Sequence, residues 1–96
     1  MKILLIDDNQ EITNPLSQFL AAKGHNCIVS NDGRNGLAMV QQQKFDVVLL
    51  DLAMPELTGF DIIDVLEKNG KLKENKIIVF TALAVKNEKI EELLQK

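Results

Sequence analysis

The sequence predicts an α/β fold in which helices cover a parallel β-sheet, and three observations support it. Short, wholly apolar runs such as Ile3–Ile6 and Val47–Leu50 indicate strands buried on both faces, because a half-exposed strand would alternate polar and apolar residues. Between these runs, apolar residues recur with helical spacing. Strand and helix alternate without a break, which is typical of a parallel sheet with right-handed crossovers.

The alternation extends over residues 1–96, which we interpret as a single domain. In the first helix, Pro15 lies about six positions after a start near Gln10, so we expect a kink or a loosened first turn. The second strand is the least apolar, which favours a position at a sheet edge. The predicted strands are Lys2–Ile6, Asn26–Ser30, Val47–Leu50 and a fourth from Lys76 or Ile77 to Thr81. The predicted helices are one from Gln10 to the C-terminal signal Gly24, then Gly36–Gln43, Phe60–Lys68 and Val85–Gln95.

The composition excludes several classes of protein. With 46% hydrophobic and 26% charged residues, the chain has an ordinary globular composition. A net charge of −3 and scattered lysines argue against a nucleic-acid-binding surface. No apolar run is long enough for a membrane span or a signal peptide. The lone cysteine, Cys27, cannot form an intrachain disulfide, is interpreted as a small buried apolar residue, and fits a cytoplasmic location.

Polar side chains follow three of the predicted strands. Asp7 and Asp8 come directly after the first strand, Asp51 after the third, and the fourth ends on Thr81. Parallel strands place their carboxyl ends at one edge of a sheet, where open α/β folds bind ligands. Clustered carboxylates repel each other unless a hard divalent cation with oxygen ligands neutralises them. The sequence therefore predicts a Mg²⁺ site beside Asp51, although a simple strand-ending aspartate is an alternative for that residue taken alone.

The loop after the third strand carries two residues that restrict its path. Pro55 fixes one turn and Gly59 permits a positive φ, so the loop beside Asp51 is expected to follow one specific path.

Together these residues resemble the receiver domain of two-component response regulators. The resemblance covers residues 1–96 and implies a flavodoxin-like fold with strand order 2-1-3-4. The residues that carry it are Asp7-Asp8, Asp51, Met54-Pro55, Gly59 and Thr81-Ala82.

The resemblance also implies roles for these residues. Asp51 accepts a phosphoryl group from a sensor histidine kinase or a phosphotransfer protein. Asp8, Asp51 and the backbone carbonyl of Ala53 bind Mg²⁺ directly, while Asp7 acts mainly through water. Thr81, followed by Ala82, contacts the phosphoryl group and acts as a switch. Such a protein is a substrate and a switch, not a turnover enzyme.

The chain departs from the family at its C-terminal end, where the resemblance predicts a fifth strand, a lysine and a last helix that we do not find. The edge formed by Ile77–Phe80 is then expected to pair with a second copy, or the helix Val85–Lys96 to exchange, which predicts a homodimer.

The main alternative function is a pseudo-receiver, an interaction module without productive phosphorylation.

Two enzyme or cofactor-binding classes fit less well. A haloacid-dehalogenase-type phosphatase needs a second acid two residues after its nucleophile, where this chain has Ala53. A flavodoxin binds a phosphate after its first strand, where Asp7 and Asp8 would repel it.

Overall fold

A computed structural model of the chain describes residues 1–52, 54 and 57–80. Four strands form one parallel sheet in the order β2-β1-β3-β4, which confirms the predicted α/β fold, its strand order and the edge position of the second strand. Residues 81–96, including the predicted last helix, lie outside the described residues. In chain order the elements are β1 (Lys2–Ile6), α1 (Gln10–Ala22), β2 (Asn26–Ser30), α2 (Gly33–Gln42), β3 (Val47–Asp51), α3 (Gly59–Lys68), a 3₁₀ turn (Leu72–Glu74) and β4 (Lys76–Phe80).

The register of the central strands places their carboxyl ends side by side. Ile6 in β1 pairs with Leu50 in β3, and Ser30 of β2 pairs with the same Ile6. Asp7 and Asp51, each one residue further along, therefore lie at the same level, with Asp51 as the last residue of β3.

The core lies on both faces of β1 and β3, as their wholly apolar sequences predict. Residues of odd number in β1 pack with α1, and residues of even number pack with α2 and α3. The first cluster contains Ile3, Leu5, Leu16, Leu20, Val47 and Leu49; the second contains Leu4, Ile6, Val40, Phe45, Val48, Leu50, Met54, Ile62 and Leu66.

Helix α1 begins where the sequence predicts. The side chain of Asn9 caps it by accepting a hydrogen bond from the Glu11 N–H at 2.9 Å. The helix continues past Pro15 to Ala22. A bend at Pro15 stays a prediction.

The predicted start of α2 at Gly36 is wrong, because the helix begins at Gly33. Asp32 caps it by accepting from the Arg34 N–H at 2.9 Å, so the Asp-Gly pair that resembles a turn is a helix start. The glycines are explained by packing. A Cβ at Gly36 would lie 2.7 Å from the Ile6 side chain.

Burial raises the pKa of the Cys27 thiol to about 11. The thiol packs at the edge of the α1-side core and stays protonated at neutral pH, in agreement with its interpretation as an apolar residue.

In the part of the chain that the structure describes, β4 pairs only with β3, and the Val79 side chain is 42% exposed. Pairing of this edge with a second copy stays a prediction. Among the same residues, no helix has the length and apolar character needed to cross a bilayer.

Candidate metal centre

Three carboxylates converge at the carboxyl end of the sheet. Asp7, Asp8 and Asp51 each offer one oxygen, and these oxygens all lie within 4.8 Å of one another. Asp7 is fully buried and Asp51 is 2% exposed, whereas Asp8 is exposed to solvent. The cluster is thus open to solvent on the side of Asp8 and closed at its base by the sheet.

Asp7 has the most perturbed environment of the three. Its Oδ1 accepts a hydrogen bond from the Asn9 N–H at 3.0 Å, while its Oδ2 is buried and accepts none from the described residues. Burial is the largest of the causes that raise the pKa of Asp7 to about 7. The charges of Asp51 and Asp8 raise it further, and the Asn9 N–H opposes them. Near neutral pH the cluster therefore holds less than its full negative charge.

The arrangement fits a hard divalent cation. Oxygens that share one Mg²⁺ at about 2.1 Å are separated by roughly 3–4 Å, which the observed spacing accommodates. The buried Oδ2 of Asp7 has no donor among the residues that the structure describes, and a cation, directly or through a water ligand, would satisfy it. Asp7, Asp8 and Asp51 are the described residues that would hold it.

The first residue of α3 lies in close contact with the backbone of Asp51 and Leu52 at the end of β3. A Cβ at Gly59 would lie 2.6 Å from the Asp51 carbonyl oxygen and 2.9 Å from Leu52 Cα. Gly59 does not use the positive φ that glycine permits: among the described glycines, only Gly24 and Gly70 have one. Gly59 is the first residue of α3, and glycine is needed there for space.

The N-terminus of α3 is fixed by a capping box that the sequence analysis missed. The Thr58 hydroxyl accepts from the Asp61 N–H at 3.2 Å, and Asp61 Oδ2 accepts from the Thr58 N–H at 2.9 Å. The spacing Thr-x-x-Asp is the signal that could have predicted it. Met54, from the loop before the helix, is 4% exposed and packs into the core.

Four of the predicted site residues lie outside the described residues. They are Ala53, Pro55, Thr81 and Ala82.

The structure also brings two unpredicted polar residues to the base of the cluster. Asn31 donates from Nδ2 to the Asp7 carbonyl at 2.8 Å and to Thr13 Oγ1 at 3.0 Å. In the sequence, Asn31 stands in an Asn-Asp-Gly stretch, which is typical of a turn and does not by itself indicate a contact with Asp7. Its position directly after β2, the neighbour of β1, is the signal that could have placed it beside Asp7.

Comparison with known proteins agrees with this geometry. A family model described as the response regulator receiver domain matches residues 3–96. The chain belongs to this family. Protein PilH of Pseudomonas aeruginosa is 32% identical over 89 residues, which cover 93% of this chain and 74% of PilH. The transcriptional regulatory protein CpxR of Escherichia coli is 36% identical over 81 residues, which cover 84% of this chain but only 33% of CpxR.

Solved structures of receiver proteins have the same fold. The chemotaxis protein CheY4 of Vibrio cholerae superposes with a TM-score of 0.84 at 24% identity, over 98% of this chain and 95% of that protein. The receiver domain of the Francisella response regulator 1452 gives a TM-score of 0.78 at 28% identity, over 96% of this chain and 74% of that one.

The acidic cluster matches a feature that receiver domains have in general. Receiver domains in general are signalling modules that bind Mg²⁺ at an acidic pocket and interact with histidine kinases or phosphotransfer proteins. In this receiver, Asp7, Asp8 and Asp51 form such a pocket.

Proposed function

We propose that this chain is a single phosphoacceptor receiver domain of a cytoplasmic two-component phosphorelay. It accepts a phosphoryl group on Asp51 from a sensor histidine kinase or a phosphotransfer protein, in a reaction that depends on Mg²⁺. The observation that carries the proposal is the position of the Asp51 carboxylate at the end of β3, within 4.8 Å of oxygens from Asp7 and Asp8.

The chemistry requires a nucleophile and a way to neutralise phosphoryl charge. A carboxylate oxygen of Asp51 attacks the donor's phosphorus, the P–N bond to the donor imidazole breaks, and the imidazole leaves with the electron pair and takes up a proton from water. The product is an acyl phosphate. When bound, Mg²⁺ neutralises charge on the phosphoryl oxygens. By the family resemblance, Asp8, Asp51 and the Ala53 carbonyl would hold the ion directly, and Asp7 would act mainly through water.

Two further residues that match the family's motif, Thr81 and Ala82, take part in the conformational response to phosphorylation. The Thr81 hydroxyl donates to a phosphoryl oxygen, and Thr81 with Ala82 changes position once the phosphoryl group is present. Since each chain takes up one phosphoryl group, the protein is a substrate and a switch.

Incubation with acetyl phosphate and Mg²⁺ is expected to add the mass of one phosphoryl group to the protein. The Asp51→Asn variant and the unsubstituted protein with a chelator are expected to gain nothing, because the first lacks the nucleophile and the second lacks charge neutralisation. Intact-mass spectrometry measures both.

Asp46→Asn is the matched control, since Asp46 is exposed and lies just before the opposite end of β3. It is expected to be phosphorylated normally. A mass gain in Asp51→Asn would contradict the assignment of the acceptor. Mg²⁺ binding without any mass gain in the unsubstituted protein would favour the pseudo-receiver.

A further inference from the structure

Asn31 lies where β2, β1 and α1 meet. It follows the last residue of β2 and donates to the main-chain oxygen of Asp7 at 2.8 Å and to the hydroxyl of Thr13 at 3.0 Å. The side-chain nitrogen of asparagine has two N–H groups, and the two contacts use both. Thr13 is fully buried in α1, so its hydroxyl depends on a partner from within the protein.

These contacts complete a set of restraints on Asp7. Its N–H donates to the Ser30 carbonyl at 3.1 Å, and its Oδ1 accepts from Asn9 at 3.0 Å. Asn31 adds the bond to the Asp7 carbonyl, which is the last main-chain group before Asp8. Both polar main-chain groups of Asp7 and one carboxylate oxygen are thereby bonded.

The restraint acts against an electrostatic force. Asp7, Asp8 and Asp51 repel one another when ionised, and a movement of the turn after β1 that separates Asp7 and Asp8 from Asp51 would relieve the repulsion. A hydrogen bond from Asn31 to the main chain of this turn resists opening without adding charge to the site. The bond goes to the main chain, so it does not occupy Asp7 Oδ2, which has no hydrogen-bond donor among the described residues.

We propose that Asn31, which is hydrogen-bonded to Thr13, is a positioning residue that holds the Asp7-Asp8 turn in the arrangement that binds the divalent cation. The inference rests on the proposed function, because it assumes the Mg²⁺ site. Asn31 itself touches neither cation nor substrate and acts through the Asp7 main chain. Removal of hydrogen-bond partners of metal ligands typically weakens metal binding by about 10–100-fold.

Asn31→Ala is expected to weaken Mg²⁺ binding about tenfold, measured by isothermal titration calorimetry. Phosphorylation from acetyl phosphate is expected to need about tenfold more Mg²⁺ for half-maximal rate, while the rate at saturating Mg²⁺ stays close to that of the unsubstituted protein. A residue that only stabilises the fold would lower the melting temperature without moving either Mg²⁺ dependence.

Three further variants separate these interpretations. Asn35→Ala is the matched control, since Asn35 donates to Ser30 Oγ at 3.2 Å at the same end of the sheet, whereas the described hydrogen bonds of Asp7 involve Asn9, Ser30 and Asn31. It is expected to leave the Mg²⁺ affinity unchanged. Thr13→Val removes the hydroxyl that accepts from Asn31 and is expected to weaken Mg²⁺ binding. Thr13→Ser keeps the hydroxyl and is expected to bind Mg²⁺ as tightly as the unsubstituted protein does.

Amide hydrogen exchange in the metal-free protein gives a readout that does not require Mg²⁺ binding. Asn31→Ala is expected to speed exchange at the Asp7 and Asn9 amides relative to Asn35→Ala. Failure of the unsubstituted protein to bind Mg²⁺ would reject the proposed function, and the exchange comparison would still decide whether Asn31 fixes the turn. Unchanged Mg²⁺ affinity in Asn31→Ala, or unchanged exchange at both amides, would overturn the inference.

Discussion

Without metal, the unfolding free energy of the protein is expected to fall as pH rises from about 4 to about 7, because of Asp7. The pKa of Asp7 is raised from 3.8 to about 7 in the folded state, first by burial and then by Asp51 and Asp8. Between these values the folded protein holds a proton on Asp7 that the unfolded chain has lost, so raising the pH favours unfolding. The contribution is up to about 4 kcal/mol and is complete above about pH 7.

Asp7→Asn isolates this contribution. The amide oxygen can keep the Asn9 hydrogen bond, and no proton is needed to bury the side chain. In urea denaturation with a chelator, the variant is expected to be more stable than the unsubstituted protein at about pH 8, by up to about 4 kcal/mol, and similar to it at about pH 4. Mg²⁺ at a hundredfold excess over its Kd adds about 2.7 kcal/mol to the unsubstituted protein and is expected to add less to the variant.

Asp64→Asn is the control for loss of one negative charge, since Asp64 is 61% exposed on α3 and pairs with Lys68. It is expected to differ little from the unsubstituted protein at either pH. A stability difference between Asp7→Asn and the unsubstituted protein that does not vary with pH would show that Asp7 is not the group responsible.

Gly59→Ala is expected to destabilise the protein by about 1–3 kcal/mol and to weaken Mg²⁺ binding. The added Cβ would lie 2.6 Å from the Asp51 carbonyl and 2.9 Å from Leu52 Cα, and backbone atoms cannot move away as a flexible side chain can. Relief of the contact moves the main chain of Asp51 itself. Fold stability and metal affinity are therefore both expected to fall, as urea denaturation and calorimetry would measure.

Gly36→Ala is the matched comparison on another helix. The three heavy atoms nearest to its Cβ would all belong to the Ile6 side chain, and the higher helix propensity of alanine offsets up to about 1 kcal/mol of the cost. Its Mg²⁺ affinity is expected to be unchanged. Equal effects of the two substitutions on Mg²⁺ binding would argue against a specific link between Gly59 and Asp51.

Much of the fold is predictable because it depends on local patterns. The wholly apolar runs of β1 and β3 identify the central strands, and the aspartates directly after them lie together because parallel strands end at one edge. Asn9 and Gly24 mark the two ends of α1 as their residue types predict.

The errors and omissions involve contacts between elements. Glycine is required at position 59 because α3 begins in close contact with the end of β3. Asn31 lies beside Asp7 because β2 pairs with β1. Neither contact has a periodic signature in the sequence. The start of α2 was mispredicted for a different reason. Asp32-Gly33 suits a turn and a helix cap equally well. The structure has the helix, in which Gly33 packs against Leu57 and Gly36 against Ile6.

The most direct test of the central claim, that the ends of β1 and β3 assemble one cation site beside Asp51, is to locate the bound ion. Mn²⁺ added to isotope-labelled protein as a paramagnetic substitute for Mg²⁺ broadens the NMR signals of nearby amides. The Asp7, Asp8 and Asp51 amides are expected to broaden first and to recover on addition of excess Mg²⁺. Lys2 lies at the other end of β1, about 16 Å away at about 3.3 Å per residue, and its amide is expected to stay sharp. Broadening centred elsewhere, or none at the three aspartates, would contradict the account.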